Sequence, residues 1–288
     1  MRVCGTLPFM FSTENPTNSL WRKRTVIKKV GITGAAGHIG LDLAVGLADK
    51  YQLTLFYHHT KPNIALDLKM VRADLSDEKQ VTGIFNGLDA VIHMAAASSP
   101  HSSWEDVLHR NIIATYNVFE EARHARVPKV VFGSTNHTQH ASIMGIPFWC
   151  EDLSRVKKQG LIKLSNPPAP DSLYGVSKLF GEDLGRYYSR LFGIKVVSLR
   201  IGFAEREAMI EHIKQGDESL KNHIRFMFLS KRDLIDIIEK ALQSDKDYVL
   251  AYAVSNNKPA VFDLTETRKQ LGFNPKDNSQ TWEANLKL

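Results

Sequence analysis

The segment GITGAAGHIG, residues 31–40, decides how the chain is read. It sets Gly34, Gly37 and Gly40 between TVIKKVGIT (25–33), which reads as a strand, and HIGLDLAVGLADK (38–50), which has apolar residues at helical spacing. A glycine trio is informative only in such a context, where a strand ends and a helix begins. There, Gly34 permits the tight turn, Gly37 lets the backbone approach a pyrophosphate, and Gly40 lets helix and strand pack closely. The helix start then offers unpaired N–H groups and the positive end of its dipole to phosphates.

Outward from this turn the alternation continues. QLTLFY (52–57) and KMVRAD (69–74) read as strands, DEKQVTGIFNG (77–87) contains a helix, and DAVIHMAA (89–96) reads as a strand buried on both faces. A long helix over 103–126, a strand KVVFGST (129–135), a helix carrying Tyr174 and a strand KVVSLRIG (195–202) follow. Strands alternating with helices predict an α/β fold with a doubly wound parallel sheet, the Rossmann arrangement. Residues 1–24 read as a disordered N-terminal extension, 25–202 as the dinucleotide-binding core, and 203–288 as a small C-terminal lobe on the substrate side that is not an independent domain. That lobe is expected to hold a helix at 230–243, a strand near 247–254 and a short helix near 262–271.

Of 288 residues, 43% are hydrophobic and 24% charged, as in water-soluble globular chains. The net charge of +6 is concentrated at one end. Residues 1–30 hold Arg2, Arg22, Lys23, Arg24, Lys28 and Lys29 against Glu14, so the rest of the chain is close to neutral. A folded basic groove for nucleic acid is therefore not expected. No apolar run is long enough for a membrane span. The two cysteines, Cys4 and Cys150, have neither disulfide-framework nor metal spacing, which fits a reducing, cytoplasmic setting.

The second informative stretch is PDSLYGVSKLFGEDL, residues 170–184. Pro170 cannot lie inside a helix, and Asp171 or Ser172 can cap the one that follows. Tyr174 and Lys178 are four residues apart, one helical turn, and project from the same face. At the end of the second strand, where NAD binders present an acid to the adenosine ribose, Tyr57 stands instead. His58, His59 and Lys61 follow, with no arginine beside them, which leans toward NADP over NAD. Asp74 ends the third strand, where it can meet the adenine amino group or cap the next helix.

The glycine spacing, Asp74, HMAAASS (93–99), RNIIATYNVFEEAR (110–123), FGSTNHT (132–138), YGVSK (174–178) and LRIG (199–202) stand in order over residues 26–202. Together they resemble the extended short-chain dehydrogenase/reductase family. STNHT, the Tyr174 helix, LRIG and YAVSNNKPAVFDLTETRKQLGFNPKDN (252–278) look most like its uronate dehydrogenases and NAD-dependent glucose-6-phosphate dehydrogenases. The resemblance implies that Tyr174 is the general base for alcohol oxidation, that Lys178 lowers its pKa and binds the nicotinamide ribose, that Thr135 holds the reacting oxygen, and that Asn111 supports Lys178. It further implies a cofactor set of Gly34, Gly37, His38, Ile39, Gly40, Tyr57, Asp74, Leu75, Ala95 and Lys178. Ser98, Asn136 and His137 are expected to meet the substrate. For the cation facing a uronate carboxylate the choice is between Arg225 and His223, which fits an ungapped register better. The loop cations Arg155, Lys157, Lys158 and Lys163 would instead suit a phosphate. His137 and His140 form no metal site without a third ligand. The expected activity is NAD(P)-dependent oxidation of the anomeric hydroxyl of a uronate or aldose phosphate to a lactone by a homo-oligomer. A nucleotide-sugar epimerase or dehydratase and a non-enzymatic redox sensor are the alternatives.

Overall fold

The computed structural model describes residues 26–141, 160–215 and 218–285. The 1–24 extension and the cations Arg155, Lys157 and Lys158 lie outside the described residues. Seven strands form one parallel sheet: β1 (Lys29–Thr33), β2 (Gln52–Tyr57), β3 (Lys69–Arg72), β4 (Ala90–His93), β5 (Lys129–Thr135), β6 (Lys195–Ile201) and, from the C-terminal part, β9 (Tyr248–Ala253). Their order is β3-β2-β1-β4-β5-β6-β9. A minimal parallel pair, β7 (Phe203–Ala204) and β8 (Phe228–Leu229), lies outside the sheet. The sheet therefore draws on both sides of residue 202.

Helices cover both faces, as parallel strands require. On one face, α1 (His38–Leu47) lays Leu43, Ala44 and Leu47 into a core shared with β1, β6 and β9 and with Leu234, Ile237, Ile238, Ala241 and Leu242 of the late helix Lys231–Gln243. On the other face, α4 (Ala114–His124) and α5 (Leu173–Phe192) bury Val118, Phe119, Ala122 and Tyr188 against β5 and β6. Ser172 caps α5 by accepting from the Gly175 amide at 3.1 Å.

Two expected helices differ in detail. The helix foreseen within 77–87 is only α2 (Glu78–Val81), because Gly83 and Gly87 adopt positive φ and close it into turns. The long helix over 103–126 consists of α3 (Trp104–Val107), a π-helical turn (Leu108–Ile113) and α4. Past β7 lie α6 (Glu207–Gln215) and α7 (Glu218–Met227), which the weakened alternation did not signal. Then come α8 (Lys231–Gln243), α9 (Thr265–Leu271) and α10 (Ser279–Asn285). No helix among the described residues is long and apolar enough to cross a membrane.

Candidate active site

The strand order reverses between β1 and β4, and a cleft opens at the C-terminal ends of these strands, where open α/β sheets bind ligands. Its volume is about 600 Å³, within the range of small-molecule sites. Gly34, Gly37, His38, Ile39, Gly40 and Ala95 all line it. Gly34 has φ of 68°, and a Cβ there would lie 2.6 Å from the Ala95 amide nitrogen, so the turn is pressed against the end of β4. A Cβ on Gly40 would lie 2.4 Å from the Gly34 carbonyl oxygen, which fixes α1 close to the turn. Gly37 is the N-cap of α1 and has no capping side chain, leaving the first helical amides available to phosphate oxygens. The residues present thus fit a dinucleotide.

The expected adenosine contacts lie beyond this lining, at the ends of β2 and β3. Asp74 Oδ1 accepts from the Ser76 amide and hydroxyl at 2.9 and 2.7 Å, and His58 Nε2 is 3.4 Å from Asp74 Oδ2. Leu75 is buried beside them, its carbonyl accepting from Asn117. The sheet supplies a cation that linear reading missed. Arg72 is the register partner of Tyr57, and its Nε donates to the His58 carbonyl at 3.0 Å.

Thr135, Tyr174 and Lys178 converge on the same cleft. The ends of β5 and α5 place them: Lys178 Nζ donates to the Gly133 carbonyl at 2.8 Å and sits 5.9 Å from the centre of the Tyr174 ring. Burial pushes the Tyr174 phenol up to about 12, opposed by its hydrogen bond with Thr135. Burial alone lowers the Lys178 ammonium to about 7. Asn111 is fully buried and is not part of the cleft lining. In the π-helical turn its Oδ1 accepts from the Ala97 amide at 2.8 Å, and its Nδ2 donates to Ser177 at 2.9 Å. It ties the loop after β4 to the helix carrying Lys178.

The remaining wall holds Ser98, Asn136, His137, His140, Phe203, Arg206 and His223. Burial, with His140 next, lowers His223 to about 3. Arg225 does not line the cleft: its Nε and Nη2 form a forked pair with Glu283 of α10 at 2.8 and 2.9 Å. Lys163 is exposed, and its carbonyl accepts from Gln139. The fold also supplies what the two histidines lacked in sequence. Asp171, 34 residues after His137, accepts from Nδ1 of both His137 and His140. Ligand-type atoms of the three residues lie within 4.8 Å of one another.

A glycine turn at the sheet's switch point, facing a Thr, Tyr and Lys, defines an extended short-chain dehydrogenase/reductase. The chain belongs to the NAD dependent epimerase/dehydratase family, which it matches over residues 30–205. It is 35% identical to an L-arabinose 1-dehydrogenase (NAD(P)(+)) of Haloferax volcanii over 88% of this chain and 98% of that protein. It is 31% identical to an NAD-dependent glucose-6-phosphate dehydrogenase of the same organism, over 86% and 93% of the two chains. The crystal structure of uronate dehydrogenase from Agrobacterium tumefaciens superposes with a TM-score of 0.74 at 27% identity, covering 90% of this chain and 88% of that one.

Proposed function

We propose that this protein oxidises the anomeric hydroxyl of a sugar to a lactone with NAD(P). The observation that carries this reading is the meeting of Thr135, Tyr174 and Lys178 at the edge of the dinucleotide cleft. The dinucleotide, when bound, supplies the hydride acceptor. The chain's own residues handle the proton. Thr135 fixes the reacting oxygen, Tyr174 takes the hydroxyl proton, and Lys178 stabilises the phenolate by its charge. The named relatives support the reading, since three sugar dehydrogenases are similar over most of their lengths. The test is cofactor reduction by the wild-type protein across neutral aldoses, uronates and aldose phosphates. Sugar-dependent reduction is expected; its absence from every class, with cofactor binding intact, would favour the redox-sensor alternative.

We infer that NADP is preferred over NAD. Tyr57 stands where a ribose-binding acid would repel a 2′-phosphate, and Arg72, His58 and His59 bring cationic or hydrogen-bonding groups to that end of the sheet. Tyr57→Asp is expected to shift the kcat/KM ratio toward NAD by roughly tenfold, the worth of about one charge-assisted hydrogen bond. Measuring both cofactors in parent and variant checks this, and an unchanged ratio would place the ribose elsewhere.

A further inference from the structure

Asp171 lies one residue before the cap of α5, and its side chain is 3% exposed. Oδ1 accepts from the Ser172 hydroxyl at 2.7 Å. Oδ2 receives Nδ1 of His137 at 2.7 Å and Nδ1 of His140 at 2.6 Å. An ionised carboxylate only accepts, so each Nδ1 must carry a proton. Burial alone would raise this carboxyl; the hydrogen bonds from His137 and His140 override that and hold it well below the usual carboxylate range.

Each ring's other nitrogen, Nε2, is then either a lone pair on a neutral imidazole or an N–H on a cation. The surroundings favour the lone pair. The two rings are 4.9 Å apart, and two imidazoliums at that distance would share one carboxylate. The described cleft lining contains Lys178, Arg206 and His223 but no Asp or Glu. His140 is 1% exposed, and its Nε2 meets neither donor nor acceptor among the described residues, an environment that penalises a charged ring. His137 is 17% exposed at its side chain and packs edge-on against the Tyr174 ring, 5.7 Å away. It is the more exposed of the two rings in the cleft wall, with His140 behind it.

We propose that Asp171 is a positioning residue that holds His137 and His140 as Nδ1–H tautomers, so that the substrate wall offers the Nε2 lone pair of His137 to a hydroxyl and selects an uncharged aldose over a uronate or a sugar phosphate. This rests on the sugar-oxidation reading above. A hydroxyl can donate into Nε2, whereas an ionised carboxylate or phosphate oxygen has only lone pairs to offer. The pairing of Arg225 with Glu283 agrees with it. Arg206 stacks on Phe203, and its charge acts on His38 at the start of α1, so it lies on the glycine-turn side of the cleft.

The test combines kinetics with a spectroscopic readout. Wild-type protein is expected to prefer a neutral aldose over the matching uronate and 6-phosphate by at least about tenfold in kcat/KM, the worth of roughly one hydrogen bond. Asp171→Leu keeps the bulk but removes the one oxygen that accepts from both rings, so neither ring is held any longer with its proton on Nδ1. Its aldose KM is expected to rise about tenfold with a smaller change in kcat, its relative use of uronate to increase, and Asp171→Glu to recover part of the loss. Long-range proton–nitrogen correlation spectra of the wild-type protein at mildly alkaline pH read the tautomers directly, whether or not the variants fold. Nδ1–H signals for both rings support the proposal. Nε2–H or doubly protonated rings, or a wild-type preference for uronate or sugar phosphate, overturn it. A wild-type protein that oxidises no sugar overturns the sugar-oxidation reading and the selection of an uncharged aldose with it, while the spectra still decide whether Asp171 sets the tautomers.

Discussion

Tyr174→Phe is expected to lower sugar oxidation by about 10²–10⁴-fold while leaving dinucleotide affinity unchanged. The substitution removes one oxygen, the only part of the side chain that can carry the transferred proton. The ring stays, and with it the packing against His137. Single-turnover kinetics alongside dinucleotide titration separate the two effects; near-normal turnover would remove Tyr174 from proton transfer. The pH profile offers a second check. Burial holds the phenol at about 12 and the buried Lys178 at about 7, so the pair gives up its first proton near 7. Above that point the single remaining proton rests mostly on Tyr174, and the minor form with the proton on Lys178 and Tyr174 as phenolate becomes accessible only once the first proton is gone. Oxidation is therefore expected to rise through about pH 7, and the reverse reduction, which needs the doubly protonated pair, to fall through the same range. Flat profiles across neutrality would mean that proton transfer is not rate-limiting.

Glu182→Ala is expected to cost about 3–5 kcal/mol of folding stability. Glu182 of α5 and Arg200 of β6 are each 3% exposed at the side chain and form a forked pair at 2.9 and 2.7 Å. Ser134, next to Thr135, donates to the same carboxylate at 2.5 Å. Removing the acid leaves a guanidinium buried without its counter-charge, which is worse than losing both partners. Ser134→Ala removes one donor and should cost only about 1–2 kcal/mol. Urea unfolding midpoints for the two variants check the ranking; equal losses would mean that Arg200 finds another acceptor.

What could be read along the chain was whatever depends on near neighbours. Gly34, Gly37 and Gly40 announce a turn because backbone freedom is a local property, and Tyr174 and Lys178 share a face because four residues span one helical turn. The strands were legible because burial on both faces demands apolar runs. Groups brought together by the fold were not. Arg72 reaches Tyr57 through sheet register, Asp171 reaches His137 across 34 residues, and Glu283 reaches Arg225 across 58. A charge's partner decides whether it is free to hold a ligand, and that partner is invisible to spacing. The cation expected for a uronate carboxylate was therefore assigned without its acid in view.

The place of β9 at the end of the sheet has a consequence in time. Residues up to Ile201 suffice to pair six strands, yet β6 has an open parallel edge until Tyr248–Ala253 arrives to pair with Val196–Ile201. At synthesis rates of about 5–20 residues per second, the intervening residues 202–247 keep that edge waiting for roughly 2–10 s. An apolar strand edge left unpaired is a template for association with other chains. The nascent protein thus passes through a stage, six strands long and one short, in which its hazard is set by the speed of translation.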